Sequence, residues 1–255
     1  RQSQQAATKA TNLAKRAGSL QDWEDSLAAW ESAVDNLSQI PQGTKAHAEA
    51  QQILPGYLEQ LEEVRDRTQQ ERRASRDLFQ AKQFAADAQR AEGEEQWMLS
   101  SQAFKSAISK LKPIPTDTLA HVEAQVLLDF YTDAMNSAEN NLRVALRFQP
   151  IEPEFFAACG STTVQKCTYS MRGGKVRRNL FQGYDTVIDQ SITPPDQRAG
   201  SALDAQYVSQ STQLLQVITL LSTQAQVPVE LYDAQGAFLA RYRPDLNGFV
   251  REQES

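Results

Sequence analysis

Histidine and cysteine occur only twice each in 255 residues, and no stretch approaches the roughly 20 apolar residues that a membrane-crossing helix needs. Cationic excess is lacking too. The formal charge is −6, whereas a general nucleic-acid or anionic-membrane surface would need a lysine and arginine footprint to release counterions. No nucleic-acid partner is therefore expected. There is no G-x-S-x-G elbow, phosphate loop, dinucleotide glycine pattern or zinc-protease motif, so neither catalysis nor a cofactor is expected. The chain begins at Arg1 and not at methionine, which leaves open a leader or membrane tether upstream.

The two cysteines, Cys159 and Cys167, are eight positions apart, the wrong spacing for a C-x-x-C redox pair. No neighbouring histidine or second cysteine pair completes a zinc site. A disulfide tying a loop to the first strand of a small domain is the natural reading. It implies an oxidising compartment, periplasm or thylakoid lumen. Two unconnected thiols in a cytosolic protein is the alternative.

What the chain does have is an internal repeat. Trp23, Ser26, Trp30, Ala33, Leu37, Ile40, Pro41, Thr44, His47, Ala50, Leu54 and Tyr57 return 74 residues later. Their counterparts are Trp97, Ser100, Phe104, Ala107, Leu111, Ile114, Pro115, Thr118, His121, Ala124, Leu128 and Tyr131. Upstream, Ala7, Ala14 and Ala17 stand opposite Ala81, Ala88 and Ala91. A fixed period of this size marks stacked supersecondary units that cannot bury their apolar faces alone.

Each unit reads as helices. Ala6, Ala7, Ala10, Ala14 and Ala17 recur at spacings of three and four, a stripe that lets a neighbouring helix come close. Gly18-Ser19 supplies a stop and a cap. Trp23, Leu27, Trp30, Ala33, Val34 and Leu37 then fill one face of a second helix, which Ile40-Pro41-Gln42-Gly43 breaks. Thr44 is the expected N-cap of a third helix, and Asp117 or Thr118 that of its counterpart. Between residues 56 and 91 no turn cluster occurs, so the third helix of the first unit should run into the first helix of the second, kinked but not ended at Pro55-Gly56. The polar stretch Glu62–Arg76 reads as a solvated strut or coiled-coil-like arm.

Ser26, Trp30, Ala33 and Pro41 give this pattern a resemblance to tetratricopeptide-type helical repeats over about residues 3–147. The period and the late proline depart from that family, and the usual first-helix tryptophan, leucine, glycine and tyrosine are missing. The tandem W/F-x-x-A-x-x-x-L-x-x-I-P followed by A-x-x-L-x-x-Y also looks like helical modules of cyanobacterial membrane-anchored or exported proteins. Such a resemblance implies a protein-binding scaffold, possessing no cofactor.

After Phe148, prolines, glycines and both cysteines arrive together and mark a boundary. Cys167–Met171 and Lys175–Phe181, turned by Gly173-Gly174, read as one hairpin; Val227–Tyr232 and Ala237–Tyr242 read as another. Leu203, Tyr207, Leu214, Val217, Ile218 and Leu221 give an amphipathic helix between them. The fold class is thus α+β overall: an all-α repeat over 1–148, with units at about 3–72 and 77–147, and a small α+β domain over 149–255 with antiparallel hairpins and one helix.

Arg172, Lys175, Arg177 and Arg178 form the one concentrated basic patch, the candidate partner-binding residues. It reads equally as an anionic docking site or as an edge strand protected by charge. His47 and His121, each two residues before a glutamate, cannot clamp a metal with it and belong to helix starts. Trp23, Trp30, Trp97, Phe104, Tyr57 and Tyr131 read as seam-filling core. The function expected is a non-enzymatic scaffold or assembly factor for a protein partner, extracytoplasmic, with a membrane tether left open. The rivals are a structural subunit of a membrane-associated complex, an enzyme or ligand receptor with a site between arm and C-terminal domain, and a cytosolic adaptor.

Overall fold

Small residues decide how the first two helices meet. In α1 (Gln2–Arg16) and α2 (Leu20–Ser38), Ala7, Ala10, Ala29 and Ala33 are buried, which brings the backbones close enough for side chain to bond backbone. Ser3 donates to the Ala33 carbonyl and Ser26 to the Ala10 carbonyl, each at 2.9 Å. Ser19 and Asp22 form a reciprocal capping box that starts α2. The computed structural model describes residues 1–160, 165–172, 174–193 and 205–251.

Thr44 starts α3 (Lys45–Gly93) as expected, its hydroxyl accepting the His47 N–H at 3.1 Å. This helix runs 49 residues with Pro55 inside it, so the proline does not end it. The stretch read as a solvated strut keeps one face covered: Val64, Thr68, Glu71 and Ala74 are all buried, while Asp66, Arg72 and Arg73 are exposed. The second copy follows as α4 (Trp97–Leu111) and α5 (His121–Phe148). Thr44 donates to the Pro41 carbonyl and Thr118 to the Pro115 carbonyl, so the repeat extends to the bonds at the helix starts.

Two compact units divide the chain. One holds residues 1–89 and 102–133, the other residues 90–101 and 134–255. In the first, Ala7, Ala10, Ala29, Trp30, Ala33, Leu61 and Val64 form one core cluster. The aromatic seam recurs in it: Trp30 meets Tyr57 edge-on at 5.4 Å, and their counterparts Phe104 and Tyr131 meet at 6.0 Å.

The second unit carries α6 (Glu152–Cys159), β1 (Cys167–Arg172), β2 (Lys175–Leu180), α7 (Tyr184–Ile192), α8 (Ala205–Ala225), β3 (Val229–Tyr232), β4 (Phe238–Arg243) and β5 (Gly248–Val250). Both expected hairpins are present, as β1–β2 and β3–β4. The sheet runs β1-β2-β3-β4-β5 and is mixed, because β2 pairs with β3 in parallel. Two hairpins joined through helices lay the returning strand parallel to the one that left, which the expectation of antiparallel pairing alone did not include. One helix was expected where three stand among the described residues. Both α6 and α7 are only about two turns long, too short for a periodic pattern to declare itself. Leu203 of the expected helix, and Gly173 of the hairpin turn, lie outside the described residues.

One face of this sheet builds the core. Val176, Leu180, Val229 and Leu231 pack with Leu214, Ile218 and Leu221 of α8, Ile188 of α7, Phe155 of α6 and Val144 and Phe148 of α5. Gly174, at φ +72°, turns the first hairpin in a left-handed conformation that favours glycine, and a Cβ there would lie 2.6 Å from the end of the Asn140 side chain, which would have to move.

Candidate interaction surfaces

Strand alternation divides the basic patch. Successive side chains of β2 point to opposite faces, so Lys175 and Arg177 go one way and Arg178 the other, with Val176 and Leu180. Across the ladder Arg177 stands beside Glu230, and Glu230 beside Arg241. Glu230, 2% exposed, takes Arg241 at 2.8 and 3.1 Å and the Tyr232 hydroxyl at 2.8 Å; Lys175 and Arg177 approach it at 3.3 and 3.4 Å. The Arg177 guanidinium also lies 5.4 Å over the Tyr232 ring. Burial pushes the Glu230 carboxyl up, but donation from Tyr232, Arg241 and Lys175 outweighs it and holds it below the usual carboxylate range. Three cations thus converge on one buried carboxylate. Glu230, Tyr232 and Arg241 were not singled out in the sequence, because only the register shows that Glu230 and Arg241 share a row with Arg177 and that Tyr232 follows two residues along on the same face.

Arg178 is fully buried. Its Nη1 donates to the sulfurs of Cys159 and Cys167 at 3.3 and 3.2 Å, its Nη2 donates to the Phe155 carbonyl at 3.0 Å, and the guanidinium sits 4.2 Å over the Phe155 ring. No carboxylate among the described residues pairs with it. Burial lowers its pKa to about 9. The expected disulfide is present: Cys159 and Cys167 are bonded, joining the end of α6 to the start of β1. The side chain of Arg172 lies outside the described residues.

In the first unit, Arg67 reaches Glu71 at 2.6 Å, pairs with Asp117 and lies 5.3 Å over the Trp23 ring. Glu71, buried, also accepts the Leu119 N–H at 3.1 Å, so this knot ties α3 to the segment that begins α5. A cavity of about 540 Å³ opens beside Trp23, Trp30, Arg67 and Asp117. Trp30, Trp97, Phe104 and Tyr131 are buried. His47 Nδ1 lies 3.2 Å from the Ile40 carbonyl, a local contact at the helix start. Among the described residues no group of three or more His, Cys, Asp or Glu side chains could hold a metal ion.

An exposed apolar ridge runs along the start of α5. Leu119, Val122, Val126 and Phe130 recur at spacings of three and four and are 44, 75, 67 and 57% exposed. Lys45, Ala48, Gln52 and Gly56 hold the corresponding positions of the first copy. Beside the ridge, Asp129 and Asp133 are exposed, and Glu123 pairs with Lys82 at 2.6 Å. The sequence signal was present but masked: α5 carries a second apolar stripe, Ala124 and Tyr131 among it, and that one is buried. Compared with protein-family models, curated proteins and solved structures, the chain matches none.

Proposed function

We propose that this chain is a non-catalytic binding scaffold that docks an amphipathic helix of a protein partner, flanked by lysine or arginine, on the α5 ridge. The observation that carries this reading is the ridge itself. Four large apolar residues exposed in one row are costly on a free surface and characteristic of an interaction site. Helix-in-groove recognition uses anchors at this spacing. The acidic residues beside the row favour a cationic flank, and like charges there would be repelled. The resemblance to tetratricopeptide-type repeats, whose usual employment is holding peptides and other domains, supports the same reading.

Placement outside the cytoplasm rests on the Cys159–Cys167 bond, which is compatible with an oxidising compartment. No helix among the described residues is long and apolar enough to cross a membrane; the tether proposed is a segment upstream of Arg1. A permanent structural subunit of a membrane-associated complex would use the same ridge.

The test uses the whole chain and three synthetic helices sharing a leucine face: one lysine-flanked, one glutamate-flanked and one scrambled. The lysine-flanked helix should bind at least tenfold more tightly than the glutamate-flanked one. Val126→Asp with Phe130→Asp should abolish that binding, and Gln52→Asp in the first copy should leave it intact. Sedimentation is measured alongside. Binding indifferent to the ridge substitutions sinks the reading, and self-association through the ridge replaces the partner with a second copy.

A further inference from the structure

The disulfide is packed against a charge that has no counter-ion among the described residues. An arginine buried without a carboxylate is rare, because desolvation of an ion costs several kcal/mol unless a partner compensates it. Here the guanidinium is instead directed at the two sulfurs and one carbonyl, and its Nε has no hydrogen-bond partner among the described residues. A disulfide sulfur is a weak, neutral acceptor. A thiolate at the same place would be a full anion in contact with the buried cation.

We infer that Cys159–Cys167 is a reducible pair opened by a dithiol reductant, with Arg178 the residue that holds the leaving Cys167 thiolate. Access decides the order of attack. A cavity of about 490 Å³ lined by both cysteines, with Phe156, Gly160, Thr168 and Tyr169, reaches the bond, and of the two Cys159 is the more open, 5% exposed where Cys167 is not exposed at all. The reductant's thiolate attacks Cys159 Sγ, the S–S bond breaks, and its electron pair departs on Cys167 Sγ, 3.2 Å from Arg178 Nη1. The reductant's second thiolate then attacks its own sulfur in the mixed disulfide. Cys159 leaves, taking a proton from solvent, and the reductant is released oxidised. With Cys167 kept as thiolate, the overall exchange releases one proton.

The neighbouring elements do not supply a competing anion at that position. Tyr169 of β1 donates to Glu152 of α6 at 3.0 Å, and Glu154 shares that helix. The α8 segment contains no charged residue; on α7, Asp185 accepts the Ala234 N–H and Asp189 meets Arg251. Arg143 and Arg147 lie on α5, and Glu230 lies on the opposite face of the sheet.

Equilibration of the whole chain with dithiothreitol tests this, read by alkylation of the freed thiols. The constant for reduction should be at least tenfold larger in the native protein than in Arg178→Met, about 30 mV in potential. It should also rise about tenfold per pH unit from near pH 6 to 8 in the native protein, while in Arg178→Met it stays flat until the ordinary thiol range near 8.5. Arg178→Lys should recover part of the difference. Equal constants in a cooperatively folded Arg178→Met, or a reduction rate that saturates at the global unfolding rate, overturn the proposal. Should Arg178→Met fail to fold, the alkylation profile of Cys167 in Cys159→Ser decides. A thiol pKa below the ordinary range supports the assignment, and one at or above it refutes it.

Discussion

In the first copy of the helical unit Lys45, Ala48, Gln52 and Gly56 occupy the outer face where the second has Leu119, Val122, Val126 and Phe130. Inward, the same two copies agree: Trp30 on Tyr57 becomes Phe104 on Tyr131, and the threonine bond that starts the third helix is made twice. Agreement inside and divergence outside separate two kinds of constraint. Helix packing and helix ends account for what is shared, and they place no demand on the outer face. The apolar row on that face in one copy therefore calls for an explanation that packing does not give.

The sharpest way to break this comparison is through the shared seam. Trp30→Ala and Phe104→Ala should each destabilise the protein by about 3–5 kcal/mol, measured by denaturant unfolding, and near-neutrality of either would show that the two seams are not equivalent. Next comes Glu71, whose counterpart is Ala145. Glu71→Ala removes the acceptor of the Leu119 N–H and one partner of Arg67, at a cost of about 2 kcal/mol; no loss would mean that the knot between the copies is dispensable. The smallest effect lies at the second-helix caps. Donation by the Ser19 side chain, with the Gly18 and Ser19 amides, holds the Asp22 carboxyl below its ordinary value of 3.8. Its contribution is present above that value and fades as pH falls through the lowered one. Gly93 and Gln96 stand at the equivalent positions in the sequence, so protection of the amides at the start of α2, relative to intrinsic exchange, should fall in acid while that of α4 does not.

Much of this architecture was legible because its signals are local. Pro41, Thr44 and Gly174 act on their own neighbours, and the repeat declares which helices correspond. The parallel β2–β3 pair was not legible, since nothing within either hairpin specifies how the two are joined. The basic patch is divided for a different reason. Lys175, Arg177 and Arg178 are near in sequence, yet a strand's two-residue period sends Arg177 towards Glu230 and Arg178 into the core beside the disulfide. The alternation was there to be used; that the inward side would accept a cation was not, because an apolar partner is the ordinary expectation at such a position. The ridge was hidden by the opposite circumstance, a helix apolar on two sides, of which only one is covered.

The unbroken α3 gives the 74-residue period a second meaning. Its buried positions, Leu61, Val64, Thr68 and Glu71 in the first half and Leu78, Ala81, Ala85 and Ala88 in the second, belong to different copies but to a single shaft. A shaft transmits phase. One residue inserted near Arg73 would turn the far half of the helix by about 100°, whereas seven would add about two whole turns and return the far stripe almost to its bearing. The spacing between the copies is therefore an angular setting as well as a length, and α3 is what keeps it.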